Sequence, residues 1–316
     1  MSQLDTRPVE GCVAKLWKDT NTARELFFSE DIGNYQLPRV CEAIRNAPAL
    51  QSISLKLRYV DCLHSRYEIT SDKLKNLSEA IRNAPTLQSV SLECKGLGSD
   101  CVDVLSEAIR QLPALQSISV KGCYQIWYSG MKSMIKAIRQ LPALQSISLE
   151  SRECTDDDLK ILSEIIRDAS ALQSISLECR ALIDNKVKIL SEAIRNASAL
   201  QNISLGTLVL SDDGMQILSE AIRQAPALQS ISLDCTDLTD NRVKILSEAI
   251  RHAPALQSFS LKGSDGDSQP IKCRGKGQGL KGNDITPLRD AILHAPALQS
   301  VKLSGFVGYR SLFEEL

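Results

Sequence analysis

The stretch LQSISL, residues 172–177, returns with small changes along the 316-residue chain and decides its fold. Most copies lie 28 residues apart, as from Leu172 to Leu200. The leucines that open the copies are Leu50, Leu87, Leu115, Leu144, Leu172, Leu200, Leu228, Leu256 and Leu298. A fixed period of this size predicts a solenoid, in which each repeat is one supersecondary unit stacked on the next.

The unit at residues 172–199 shows how one repeat is built. Ile175 and Leu177 alternate with serines, which is the period-two pattern of a strand with one buried face. Asp184 stands where a helix N-cap is expected, and apolar residues follow at helical spacing from Val187 onward. In most repeats a proline marks the end of this helix. Each repeat is therefore predicted to run strand, turn, helix, turn.

The pattern LxxLxL, a further leucine near the eleventh position and a helix ending in LxxxI resemble the ribonuclease-inhibitor type of leucine-rich repeat over roughly residues 37–303. The resemblance implies an α/β solenoid curved into a horseshoe, with a parallel sheet on the concave face and helices on the convex face. One departure concerns the ninth position, which in the family is usually Asn or Cys. Here it holds basic residues such as Arg58, Lys95 and Arg180, so we expect a different turn after the strand.

The repeats predict one elongated unit rather than two ordinary domains. We expect an N-terminal cap with a degenerate repeat at residues 1–36, nine strand motifs at 37–303, and a C-terminal cap or tail at 304–316. Insertions near 56–70 and 263–283 both leave the repeat after its strand and before its helix. They are therefore expected on one rim of the solenoid.

The N-terminal cap is predicted to contain a degenerate strand at residues 23–29, with Leu26 one repeat before Ile53. The aromatic residues expected in the core of this cap are Trp17, Phe27 and Phe28.

Composition narrows the class of function. A net charge of -1 gives no global field for nucleic acid or an acidic membrane surface. The sequence shows neither an N-terminal signal pattern nor an apolar stretch long enough to span a bilayer. Its ten cysteines include no CxxC pair, so we expect reduced thiols, most of them buried filler, in a cytoplasm or a host cytosol.

No cofactor, metal or small-molecule substrate is predicted. Cys62 and His64 are two zinc ligands where four are needed. The GxGxxG match at residues 277–282 lies in a long polar loop, not directly between a strand and a helix.

Three groups of residues are predicted to contact a protein partner. Tyrosine, tryptophan and arginine are enriched in binding hot spots, an acidic band occupies the seventh strand position, and the second insertion is basic. The candidates are Tyr59, Tyr67, Tyr124, Trp127, Tyr128, Glu150, Glu178, Asp234, Lys272, Arg274 and Lys276. The alternatives are a solvated polar face and neutral loop growth.

The sequence predicts a non-enzymatic module that binds a protein partner through its rim and concave face. The near-copy repeats and the acidic, leucine-bearing tail favour a secreted bacterial effector that acts in a host cell. The alternative is a protein of the Ran GTPase-activator or ribonuclease-inhibitor class, which resembles it in repeat type. Bacterial leucine-rich-repeat ubiquitin ligases use a CxD motif, and Cys101 and Cys235 each begin one, but the separate catalytic domain has no room here.

Overall fold

The computed structural model describes residues 23–33, 36–58, 71–95, 99–123, 128–151, 154–236, 238–264, 271–272 and 285–307.

Strands and helices alternate along the described chain. The strands are β1 Glu25–Ile32, β2 Ser52–Arg58, β3 Ser89–Lys95, β4 Ser117–Cys123, β5 Ser146–Ser151, β6 Ser174–Leu182, β7 Asn202–Leu208, β8 Ser230–Thr236, β9 Ser258–Ser264, β10 Ile271–Lys272, β11 Ser300–Ser304 and β12 Phe306–Val307. The helices are α1 Leu37–Arg45, α2 Ser71–Arg82, α3 Ser99–Ile109, α4 Tyr128–Ile138, α5 Asp156–Asp168, α6 Asp184–Asn196, α7 Asp212–Gln224, α8 Asp240–His252 and α9 Thr286–His294.

Ten of the described strands form one open parallel sheet in the order β1-β2-β3-β4-β5-β6-β7-β8-β9-β11. The register follows the sequence repeat, so Ile175 lies opposite Ile203 and Leu177 opposite Leu205. Two short strands, β10 and β12, pair with each other and join the second insertion to the segment after β11. The predicted fold, a parallel strand–helix solenoid of the leucine-rich-repeat kind, is confirmed.

A backbone hydrogen-bond pattern recurs at each step of the ten-stranded sheet. The carbonyl of Gln173 accepts two N–H groups of the next repeat, from Gln201 at 2.8 Å and from Asn202 at 2.9 Å. The equivalent carbonyls from Arg24 to Gln257 do the same. Successive repeats are therefore tied together before the strands proper begin.

The core lies between the sheet and the helices. The inward Leu and Ile side chains of the strands pack against the apolar stripe of the helices, and each helix packs on the next along the chain. The serine of the LSEAI segment is buried at Ser106, Ser191, Ser219 and Ser247. The hydroxyls of Ser106 and Ser247 donate to the Val102 and Val243 carbonyls of their own helices.

The predicted helix cap at Asp184 is wrong by one residue. Helix α6 begins at Asp184, and its N-cap residue is Ile183, which makes no side-chain cap. The Asp184 carboxylate turns to the next repeat instead, where it accepts the backbone N–H of Ser211 at 2.9 Å and its hydroxyl at 2.5 Å. Asp184 thus links two repeats rather than capping its own helix.

At the N-terminal end, β1 pairs with β2 and places Leu26 opposite Ile53, as the spacing predicts. The expectation that Phe27 belongs to the cap core is wrong, because its side chain is 61% exposed. Neighbouring strand residues face opposite sides of a sheet, and Leu26 occupies the buried side. Phe28 is half-buried against the core, while Trp17 lies outside the described residues.

The expectation of reduced thiols is wrong for two cysteines. Cys154 and Cys179 form a disulfide, with a Cα–Cα distance of 6.3 Å. Cys154 precedes α5 and Cys179 lies in β6, so the bond joins adjacent repeats and both side chains are buried in the core. Cys41, Cys101 and Cys235 are buried, as expected for filler.

Among the described residues, no helix combines the length and the apolar character needed to cross a bilayer.

The disulfide predicts a measurable stability difference. It closes a loop with a sequence separation of 25, for which loop-closure entropy gives about 3.5 kcal/mol. We expect a reducing agent to lower the free energy of unfolding of the parent protein by about this amount, measured by urea denaturation.

The control is the Cys154→Ala/Cys179→Ala variant, whose urea midpoint should be the same with and without the reducing agent. An equal midpoint for the oxidised and reduced parent would show that the bond does not stabilise the fold.

Candidate interaction surface

The concave face is defined here as the side of the sheet opposite the helices. Serines occupy the third and fifth positions of the LQSISL motif on this face. In β6 these are Ser174 and Ser176, and both side chains are partly exposed. They lie opposite Asn202 and Ser204 of β7. The same pattern runs across the sheet, so the floor of this face is polar and built of small side chains.

The residues that directly follow the six-residue LQSISL motif, at its seventh position, lie in one row that is called the charged row. They are Lys56, Glu93, Lys121, Glu150, Glu178, Gly206, Asp234 and Lys262. Lys56 lies 3.9 Å from Glu93 across neighbouring strands, and Glu93 is opposite Lys121. Glu150 is opposite Glu178, so two acidic residues occupy neighbouring positions at the middle of the row. The row is therefore mixed at its flanks and acidic at its centre.

Asp234 belongs to the charged row, and its carboxylate is paired with a lysine side chain. The Lys262 ammonium donates to its carboxylate at 2.7 Å, and this hydrogen bond is the main reason that the pKa of Lys262 is raised. The charge of Glu178 raises the same pKa further. Asp234 is thus paired within the row with its neighbour on the next strand.

Gly206 allows Glu178 to lie across the row. A Cβ at residue 206 would be 2.9 Å from Glu178 Cγ, so the glutamate side chain occupies the space above the glycine.

The structure brings together three of the predicted contact residues, Glu150, Glu178 and Asp234. Tyr128 begins α4 and Lys272 belongs to β10, but their side chains are not described. The remaining predicted contacts lie outside the described residues: Tyr59, Tyr67, Tyr124, Trp127, Arg274 and Lys276.

The rim is defined here as the segments that join the strand ends to the first helical turns. Thr155, Ser211 and Thr239 cap α5, α7 and α8, and each side-chain oxygen accepts a backbone N–H of its own helix. Thr155 forms a full capping box with the buried Asp158. These caps satisfy N–H groups that the helix itself leaves without partners.

Carboxylates on the rim also bind the following repeat. Asp212 accepts Asn241 Nδ2 at 2.6 Å and Arg242 Nε at 3.0 Å, both from the first turn of α8. The hydrogen bond from Asn241 is the main cause that lowers the pKa of Asp212, and Arg242 adds to it. The rim of these repeats is therefore held by polar contacts between neighbours.

Two rim residues depart from this polar pattern. Ile183 is 45% exposed and Val209 is 42% exposed. The Val209 N–H donates to the Leu182 carbonyl at 3.1 Å, which places the two side chains on neighbouring segments. Neither exposed side chain was predicted from the sequence. For Ile183 there was a signal, because an isoleucine stands at the position where other repeats have Thr155, Ser211 and Thr239.

The described residues contain no group of three or more His, Cys, Asp or Glu side chains that could hold a metal ion. Burial raises the pKa of the Cys235 thiol to about 12, and the charge of Asp234 adds to the shift. A buried protonated thiol is a poor nucleophile. The CxD sequence that begins at Cys235 therefore lacks the thiolate that acyl-transfer chemistry needs.

The repeat sequence and the one-sided stack of strands and helices define the fold as an α/β leucine-rich-repeat solenoid. No family model and no curated protein matches the chain.

Solved structures resemble it at low identity. A protein from Bacteroides fragilis is 12% identical with a TM-score of 0.54, and the match covers 90% of this chain and 75% of that one. TLR13 in the TLR13–ssRNA13 complex is 16% identical with a TM-score of 0.47, and the match covers 90% of this chain. The chain spans 32% of the TLR13 chain.

The contact between Asp184 and Ser211 predicts an unusual effect of a helical glycine. Gly214 lies in the first turn of α7, and a Cβ there would be 2.0 Å from Asp184 Oδ1. Gly214→Ala should therefore displace the carboxylate and lose the usual gain of about 1 kcal/mol from replacing a helical glycine. In the Asp184→Ala background the same change should stabilise the protein.

A double-mutant cycle by urea denaturation measures the coupling, which we expect to be about 1 to 2 kcal/mol. Additive effects of the two substitutions would contradict the contact.

Asp212 predicts a pH-dependent contribution to stability. Because its pKa is lowered from 3.8 in the folded protein, its contribution is present above that pH and is lost as the pH falls through the folded pKa. The stability gap between the parent and Asp212→Ala, followed by denaturation from pH 7 downward, should close below pH 3.8.

Asp213→Ala is the matched control, because it removes the next carboxylate of the same helical turn. A gap that is the same for both variants would assign the effect to the helix dipole rather than to Asn241 and Arg242.

Proposed function

We propose that this chain is a non-enzymatic interaction module that binds a protein partner through its concave face and rim. In the described part of the chain, the helices cover one face of the sheet and the core lies between the two layers. The other face of this ten-stranded sheet presents partly exposed serines, and the charged row runs across eight of its strands, β2 to β9. This face is large, continuous and free of core function.

The acidic centre of the charged row carries the proposal. Glu150 and Glu178 occupy opposite positions on neighbouring strands, on a floor of small polar side chains. A floor of small residues leaves this pair accessible to a partner surface. Charge complementarity of this kind contributes to partner selection and to the rate of association.

The disulfide bears on where the module acts. Disulfides form and persist in oxidising compartments, so the Cys154–Cys179 bond supports a site of action outside a reducing cytosol. The effector role, the GTPase activator and the enzyme inhibitor are narrower forms of the same module, and no contact in the described residues favours one of them.

Charge reversal on the two faces tests the proposal. Glu150→Lys/Glu178→Lys changes the concave face, and Glu192→Lys/Glu248→Lys makes an equal change on exposed positions of the convex helices. Both variants and the parent are used to capture partners from eukaryotic and bacterial lysates by crosslinking and quantitative mass spectrometry. We expect a partner that the parent and the convex variant retain and that the concave variant loses at least tenfold.

Thermal unfolding of all three proteins confirms that the variants fold. Equal capture by the concave variant and the parent, or loss in the convex variant alone, would place the binding surface elsewhere.

A further inference from the structure

We infer that the solenoid has a hinge at the junction between helices α4 and α5, where Ile135 and Ile165 hold the two helices apart. The hinge joins an N-terminal arm, from β1 to α4, to a C-terminal arm, from β5 to β11. The inference goes beyond the proposed function, because it concerns how the molecule bends before any partner binds.

The spacing of the helices is the first observation. Helices α4 and α5 approach each other less closely than any other pair of consecutive helices in the described chain. The strands of the same two repeats, β4 and β5, remain paired in the sheet. The two repeats are therefore joined mainly through the sheet, and their helices form the looser side of the junction.

The residue of α4 that faces this junction is the second observation. The serine of the LSEAI segment lies on the side of its helix toward the next repeat. The Ser78 hydroxyl of α2 donates to the Val104 carbonyl of α3 at 3.1 Å. The Ser163 hydroxyl of α5 donates to the Ile189 carbonyl of α6 at 3.1 Å. In α4 the same position holds Ile135, a larger side chain that donates no hydrogen bond and is 1% exposed.

The residue of α5 that faces the junction is also exceptional. Two residues turn an α-helix by about 200°, so the alanine that follows the serine by two positions faces the preceding helix. In α5 this position holds Ile165, which is buried in the core. The other helices have alanine there: Ala43, Ala80, Ala108, Ala137, Ala193, Ala221, Ala249 and Ala291. Two isoleucines thus face the one junction whose helices are far apart.

The bulk of the two isoleucines explains the spacing, because branched side chains fill space between the backbones that serine and alanine do not need. Contact between apolar side chains is non-directional, whereas a hydrogen bond from serine to a carbonyl weakens when its angle changes. In a solenoid, each interface between repeats contributes separately to the stability of the stack. The stack therefore bends most easily at this junction.

An ion pair and the strand ladder also cross the junction. Arg139 of α4 lies 2.8 Å from Glu164 of α5, but the two side chains are 54% and 39% exposed, and an exposed ion pair contributes little to stability. The ladder between β4 and β5 is regular from Ser117 to Val120 and shifts its register before Cys123. The regular part of this ladder is the pivot, and the helices move about it.

The hinge divides the concave face into two parts. The N-terminal arm carries the mixed part of the charged row, from Lys56 to Lys121, and the C-terminal arm carries Glu150 and Glu178. The Cys154–Cys179 bond ties the repeats of β5 and β6, so the acidic pair moves as one body. Bending at the hinge changes the distance between the two parts and lets the concave face adapt to the curvature of a partner.

Distances between spin labels on the convex face test the hinge. The labels are attached to p-acetylphenylalanine, which leaves the native cysteines unchanged. One pair, at residues 103 and 160, spans the hinge from α3 to α5, and the control pair, at residues 188 and 244, spans two regular junctions from α6 to α8. The four native residues are exposed and hold the same position in their helices: Asp103, Lys160, Lys188 and Lys244.

We expect double electron–electron resonance to give a distance distribution at least twice as broad for the pair that spans the hinge as for the control pair. Equal widths would overturn the inference. The comparison uses the protein without a partner, so its outcome is independent of the lysate experiment.

The variant Ile135→Ser/Ile165→Ala tests the role of the isoleucines, because it gives the junction the small residues of its neighbours. We expect its distribution from α3 to α5 to shorten and to narrow to the width of the control pair. Ile135→Val/Ile165→Val keeps two branched apolar side chains and should keep the broad distribution. A distribution as broad in the Ser/Ala variant as in the parent would contradict the assignment. The parent measurement needs no change at the junction, so it decides the inference even where the Ser/Ala variant does not fold.

Discussion

A repeat of this protein buries its apolar strand face only through contact with the repeats beside it. Phe259 in β9 is 1% exposed because β11 continues the sheet beyond it, whereas Val301, its partner in β11, is 38% exposed. The difference between two paired positions shows how much each strand depends on a following neighbour. The period of the sequence is the direct consequence, since each unit must present the same surface to the next.

The backbone hydrogen bonds that join neighbouring repeats just before their strands fix how the strands are aligned with each other. Each glutamine carbonyl that accepts two N–H groups sets the register before the strand begins. The register then holds over the following strand residues at most junctions, and it shifts farther along the strands between β4 and β5, β6 and β7, and β7 and β8. Glu150 and Glu178 therefore face each other because of the backbone register, and Gly206 then gives Glu178 room to extend.

Sequence periodicity was sufficient to predict the strand register, the buried Leu and Ile positions and the succession of helices, because these features repeat. It failed where the chain departs from its period or where two repeats meet. Asp184 is the first residue of α6 rather than its N-cap, and it contacts Ser211 of the next repeat rather than its own backbone. The disulfide joins two different repeat positions, Cys154 and Cys179, so no single column of the alignment shows it. The pairing of Leu182 with Leu208 depends on a two-residue shift that the spacing hides.

The disulfide has a mechanical consequence. Repeats in a linear stack touch mainly their immediate neighbours. Tension applied to the two ends of the chain would therefore separate the repeats one junction at a time. The Cys154–Cys179 bond crosses the junction between the repeats of β5 and β6, and a covalent bond does not yield at forces that part packed side chains. Under load the molecule would lengthen at its other junctions while this junction stayed closed, and the neighbouring acidic pair would keep its geometry.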